Sequence, residues 1–343
     1  MTELVLNGQT KNSIAGIVRK VLSKVGLSPL SLSMFLLLAL VPLVLRNQYW
    51  LHLMTICLMF GALSMGFDLS AGFINVANWG YAAFMGVGAY TSAILLERFG
   101  ITPWIGMFIG GLMAGFLGFV TGIITLRLRG MFTAILTWFL GLTMVALATQ
   151  LVGLTRGSMG MMAEELFDTY VKDPYYYTIL GLCVLTFCLV TRMVNSKLGL
   201  AFRAIGQSQD AAESLGVNPT YYRIINFTTS CTIAGVIGGF YAHFMCIITP
   251  EFLHTKHTIE ILFIAFIGGR GSVWGGLVCA FLIIPALEFA RPIVEWRFVI
   301  YGVLMIVVMI FMPEGIAPHI TKAIDKITQR INELIHGKVE ESR

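Results

Sequence analysis

The chain has 343 residues, 57% of them hydrophobic and 12% charged, with a formal net charge of +5 at pH 7 and a mean hydropathy of +0.82. So little charge cannot cover the surface of a soluble protein of this length. A water-soluble enzyme or binding domain is excluded, and the chain reads as an all-α polytopic membrane protein.

Residues 1–28 carry Lys11, Arg19, Lys20 and Lys24, with Ile14, Ile17, Val18, Val21, Leu22 and Val25 at helical spacing between them. No short apolar core with a small-residue cleavage site is present, so a signal peptide is not expected. The pattern predicts an amphipathic helix on the cytoplasmic membrane surface. A span needs about 20 apolar residues, and candidates follow at 29–45, 50–69, 73–96, 104–126, 131–153, 174–192, 222–248, 259–269 with 274–290, and 298–312. The segment at 259–269 is too short to cross alone and reads as half of a re-entrant pair. This gives about eight to ten membrane helices, some discontinuous.

With the N-terminus in the cytoplasm, sixteen of the 23 Lys and Arg fall on inner segments. The positive-inside rule then places both termini in the cytoplasm and the acidic loop 154–173 outside. The division expected is a cytoplasmic segment 1–28, a transmembrane domain 29–315 with an inner loop at 193–221, and a cytoplasmic tail 316–343. The inner loop carries an apolar stripe of Leu198, Phe202, Ile205, Ala212 and Leu215, with Arg203, Gln207, Asp210 and Ser214 on another face. The tail repeats the pattern with Ile316, Ile320, Ile324, Ile327 and Ile331. Both predict surface helices.

The segment "GFINVANWGYAAFMGVGAYTSAIL" at 72–95 has the length of a span, yet it holds Asn75 and Asn78 among several glycines. Discontinuous helices in transporters place such polar groups against the pathway; the alternative is helix–helix hydrogen bonding. Read as one helix, the segment puts both amides on one face, bracketed by Gly72 and Gly80. A second glycine-rich stretch, "GGRGSVWGG" at 268–276, joins two apolar segments and so is no dinucleotide fingerprint. Gly111, Gly115, Gly118 and Gly122 share a helical face, and Gly235 and Gly239 repeat the spacing, which predicts close helix packing. His243 lies within an apolar span, with Glu251, His254 and His257 beyond it as lining for an entrance. No phosphate-binding loop is present, so ATP hydrolysis is not expected of this chain. No cofactor and no nucleic-acid partner are expected either.

"SKLGLAFRAIGQSQDAAESLGVNPTYYR" at 196–223 resembles the cytoplasmic coupling segment of permease subunits in ATP-binding cassette importers of the branched-chain amino acid and urea group. The similarity extends to "GFYAHF" at 239–244, "IGGRGSVWGG" at 267–276 and "WRFVIYGVLMIVVMIFMPEGI" at 296–316, which favours the LivM-type subunit over its LivH-type partner. The resemblance implies a permease subunit that works with a LivH-type permease, two cytoplasmic ATPases, an extracytoplasmic solute-binding protein and membrane lipid. It implies coupling to the ATPases through Arg203, Asp210, Ala211, Ala212, Glu213 and Gly216. Asn75, Asn78, Tyr81 and His243 are the expected pathway residues. The glycine-histidine pair common in LivM-type proteins is here Gly80-Tyr81, and "FINVAN" is similar to the "INFAH" of LivH-type partners. The solute class therefore stays open among branched-chain amino acids, urea, amides and organic acids. The rivals are a self-sufficient secondary carrier or channel and, more weakly, a redox-complex anchor, for which paired intramembrane histidines are missing.

Overall fold

The computed structural model describes residues 29–44, 47–126, 128, 130–167, 171–289, 302–303, 306–307, 310–312 and 315–316. The surface helix expected over 1–28, most of the span expected over 298–312, Asp168 and the tail beyond 316 lie outside the described residues.

Among the described residues the chain is almost wholly helical. The longer helices are α1 (Pro29–Val44), α2 (Gln48–Asp68), α3 (Tyr81–Phe99), α4 (Pro103–Thr125) and α5 (Met131–Gln150). A four-residue α6 (Val152–Thr155) follows, then α7 (Asp173–Val194), α8 (Lys197–Gln207), α9 (Gln209–Ser214) and α10 (Pro219–Met245). The described bundle closes with α11 (Thr255–Gly268) and α12 (Gly275–Phe289). The sole sheet among these residues pairs β1 (Met161–Met162) with β2 (Ile247–Ile248), antiparallel, with Met161 opposite Ile248. Among the described residues, five helical stretches are long and apolar enough to cross a membrane: Gln48–Phe73, Pro103–Thr125, Met131–Gln150, Asp173–Val194 and Pro219–Met245.

The core is built around α10, which packs chiefly on α4 and α3. Small residues make this possible. A Cβ on Gly118 would fall 2.6 Å from Cys231 Cβ, and one on Gly239 would fall 2.9 Å from Met107 Cα. The glycine face read from the sequence is thus the α4–α10 contact, where backbone approaches backbone. The opposite face of α4 exposes Phe108, Leu112 and Phe116, as a lipid-facing or subunit-facing surface must.

The bundle has two distinct ends. At one, α8 lies near residues 69–75 and Arg270, with α9 packed beside α8. At the other, Arg156 pairs with Glu97, the Lys172 N–H donates to Gln48 Oε1 at 2.8 Å, and β1 meets β2. Successive helices run between these ends, as the alternation of spans required.

Candidate functional site

Helix α2 does not run on into α3. It widens to a π-turn at Leu69–Phe73, Asn75 takes φ +60°, and no helix resumes until Tyr81. A break at this depth exposes backbone groups that lipid cannot satisfy, so the protein must satisfy them itself. On the α2 side, Ser230 Oγ donates to Gly66 O and Asn226 Nδ2 to Leu69 O, each at 2.7 Å. On the α3 side, the Trp79 N–H donates to Thr137 Oγ1 at 3.1 Å, Gly80 N–H to Asn78 Oδ1 at 3.1 Å and Ala82 N–H to Thr258 Oγ1 at 3.0 Å. Three helices remote in sequence therefore hold the break open.

This corrects the single helix expected over 73–96: the two amides sit in non-helical chain and do not share a helical face. Positive φ at Asn75 turns the chain between them, a conformation asparagine tolerates better than most residues. Asn78 is fully buried; beyond its bond to Gly80, its Nδ2 faces Cys231 Sγ at 3.7 Å. Tyr81 is also buried, its hydroxyl donating to Ser230 O at 3.2 Å and its ring edge-on to Phe67. His243 is enclosed too, with Ser92 Oγ at 2.7 Å from Nε2 and Glu164 O at 2.8 Å from Nδ1. Of these four residues, only Asn75 opens to a cavity.

That cavity, about 360 Å³, lies at the α8–α9 end and is lined by Gly72, Phe73, Asn75, Arg203, Gln207 and Arg270, among others. It brings together Asn75 and Arg203, which the sequence placed in separate groups. Gly206 of α8 abuts Phe73 O with no room for a side chain between them, and the Arg203 guanidinium lies 5.6 Å from the Phe73 ring centroid. The two glycine-interrupted stretches also meet here: Gly271 N–H points at the Asp68 carboxylate, 2.9 and 3.1 Å from its oxygens.

The expected coupling segment forms two helices rather than one. Ser208 is extended (φ −158°, ψ 114°) and caps α9 by accepting the Ala211 N–H at 3.3 Å. Phe202, Ile205 and Ala212 are buried as the stripe predicted, but Leu215 is 83% exposed because the kink turns it away from the bundle. Arg203, Asp210, Ala211, Glu213 and Gly216 are exposed; Ala212 is enclosed.

A second pair of cavities lies between α5 and the segment leading into α11. One, about 500 Å³, is lined by Trp138, Leu142, Glu251, His254, Thr255, Lys256, His257 and Ile259. The other, about 340 Å³, includes Thr149, Ser158 and Thr249, and shares Glu251 and His254 with the first. Helix α11 starts alongside the middle of α5 rather than at the end of the bundle, with His254 and Lys256 exposed. Its Thr258 bonds to the first turn of α3, and Thr255 Oγ1 accepts from Trp138 Nε1 at 3.1 Å. Trp138 is seven residues beyond the start of α5, about 10 Å of helical rise. His257 Nδ1 is 3.1 Å from Glu260 Oε2 in the first turns of α11. The sequence flagged Glu251, His254 and His257 as an entrance, but Trp138, Thr255 and Lys256 carried no signal, since only the fold brings α5 beside them.

Residues 49–312 match the family model described as branched-chain amino acid transport system / permease component. The chain is similar to the high-affinity branched-chain amino acid transport system permease protein LivM of Escherichia coli strain K12, 28% identical over 292 residues, 77% of this chain and 69% of that protein. It is also similar to a probable branched-chain amino acid transport permease protein LivH of Methanocaldococcus jannaschii, 23% identical over 279 residues, 74% of this chain and 87% of that one. A shorter likeness, 28% over 123 residues, joins it to LivH of Escherichia coli strain K12, covering 35% of this chain and 40% of that protein. No solved structure matches the chain significantly.

Proposed function

The chain belongs to the family of branched-chain amino acid transport system permease components, and from that premise we propose that it is the LivM-type membrane subunit of an ATP-binding cassette importer. A LivH-type permease completes the translocation path, two cytoplasmic ATPases drive it, and an extracytoplasmic binding protein delivers the solute. Both termini and helices α8 and α9 face the cytoplasm, and the β1–β2 end faces outward, in the bilayer of a prokaryotic inner membrane.

The observation that carries this reading is the pair of cavities sharing Glu251 and His254, which reaches from the outer end of the bundle down to the first turn of α11. A helix that begins partway along the bundle turns the N–H groups of its first turn and the positive end of its dipole toward that space, which favours a carboxylate. Glu251 offers a counter-charge for an ammonium group, while Trp138, Leu142 and Ile259 offer an apolar wall. A small zwitterion with an apolar side chain fits these surroundings, and a branched-chain amino acid is the proposed solute. Asn75 lines the inner mouth of the path; Asn78 and Tyr81 stand behind it and fix the break, while His243 ties α3 to the outer loop through Ser92 and Glu164. Movement of the ATPases reaches the break through α8, whose Gly206 and Arg203 bear directly on Phe73.

The test is to purify the tagged chain from its native membranes and identify what copurifies. A second permease and an ATPase in stoichiometric amounts support the importer. A chain that purifies alone and transports alone is a secondary carrier, the rival reading, and overturns the proposal.

A further inference from the structure

We infer that the cavity between α8, the break and the 269–274 turn is an oxyanion-binding site that controls how freely α8 moves against the break. Its lining carries two guanidiniums, Arg203 and Arg270, together with the amides of Asn75 and Gln207, and, among the described residues, no carboxylate. Asp68 lies within Coulombic reach of Arg270 but has both oxygens directed at Gly271 N–H. Each guanidinium is steadied over an aromatic ring, Arg203 over Phe73 and Arg270 at 5.3 Å from the Phe266 centroid. The two arginines belong to different elements, α8 and the turn between α11 and α12.

These facts combine in one way. Two cations from separate elements facing a common space of about 360 Å³ repel each other unless something negative lies between them. Guanidiniums bind carboxylate and phosphate oxygens through paired, charge-assisted hydrogen bonds, and Asn75 and Gln207 are placed to complete such a shell. The volume suits a phosphate group with its first substituent. A bound oxyanion ties α8 to the 269–274 turn, and through Asp68–Gly271 to the end of α2. It therefore clamps the contact at Gly206 and Phe73 through which α8 touches the break. The ligand chemistry is a phosphate oxyanion, supplied either free from the cytoplasm or as the headgroup of an anionic lipid, since the site opens at the end of the bundle.

The probes are inorganic phosphate and lipid discs of defined composition, applied to the full chain together with whatever subunits copurify with it. In phosphatidylcholine discs, phosphate is expected to raise the thermal midpoint saturably, while sodium chloride of equal ionic strength does not. If lipid is the source, replacing part of the phosphatidylcholine with phosphatidylglycerol gives the shift and phosphate adds nothing further. Either result supports the site, provided that Arg203→Gln with Arg270→Gln weakens the response at least tenfold. Should that double variant fail to assemble, Arg270→Lys is read instead. It keeps the charge, loses the planar fork, and is expected to weaken phosphate binding at least threefold. The inference is overturned if neither phosphate nor phosphatidylglycerol shifts the wild-type midpoint, if chloride reproduces the shift, or if the variants respond like wild type. None of these outcomes depends on which solute the chain transports.

Discussion

Replacing Asn78 with Leu should destabilise the protein, whereas replacing Asn75 with Gly should leave stability nearly unchanged and slow transport. Asn78 is fully buried and its Oδ1 accepts the Gly80 N–H at 3.1 Å, just before α3 begins. Leucine keeps the branching at Cγ but is larger and has no acceptor, so no cavity opens, the side chain presses on its buried neighbours, and the buried Gly80 N–H loses its acceptor. An unsatisfied buried donor costs about 1–3 kcal/mol, and the weaker contact of Nδ2 with Cys231 Sγ at 3.7 Å adds little. Asn75 is exposed to the inner cavity and sits at φ +60°, where glycine is at ease. Its replacement should change stability by less than about 1 kcal/mol, mostly through the unfolded chain. The assay is a heat ramp followed by fluorescence-detected size exclusion, with uptake measured per folded molecule. An Asn78→Leu variant with a wild-type midpoint would refute the capping argument. So would an Asn75→Gly variant that melts as early as Asn78→Leu.

Three further predictions rest on separate parts of the fold. Gly118→Leu should abolish folded yield, because even a Cβ there falls 2.6 Å from Cys231 Cβ, while Gly122→Ala should be tolerated, its nearest neighbour being 3.6 Å away; comparing the monodisperse fractions of the two checks the α4–α10 contact, with overpacking costing about 1–3 kcal/mol or more. Leu215→Asp should leave the chain folded but uncouple ATP hydrolysis from solute delivery, since Leu215 is 83% exposed, whereas Ala212→Asp should misfold because Ala212 is enclosed; folded yield and substrate-stimulated ATPase activity, measured on both, separate the two roles. A membrane-impermeant thiol reagent should label a cysteine introduced at Glu165 from outside intact cells and spare one at Gln207, each read against the unsubstituted chain.

Much of the architecture was legible because membrane helices must be long and apolar, and because close helix crossings need small residues. The spans expected at 104–126, 174–192 and 222–248 correspond to α4, α7 and α10 within a few residues. The glycine face of α4 was visible for the same reason. The break was legible only as an anomaly of two amides among glycines. Its geometry was not, because the groups that hold it come from Thr137, Thr258, Asn226 and Ser230, up to 176 residues away. Local periodicity also overran Ser208: the stripe continued through it, but an extended serine that caps a new helix redirects everything after it, Leu215 included. The wall of the larger cavity was hidden for a third reason. Trp138 lies on an otherwise ordinary apolar helix, and its meeting with Thr255 is a tertiary fact.

On the proposed function, solute crosses along the side of the bundle where Glu251 and His254 join two cavities. The most direct measurement is uptake of a labelled branched-chain amino acid by proteoliposomes holding the chain with its copurifying subunits, ATP inside and binding protein outside. Uptake should require ATP and fall at least tenfold when Trp138→Ala and His254→Ala are combined, with ATP hydrolysis by the complex retained. Uptake that persists without ATP, or that the double variant leaves unchanged, would contradict the proposed function.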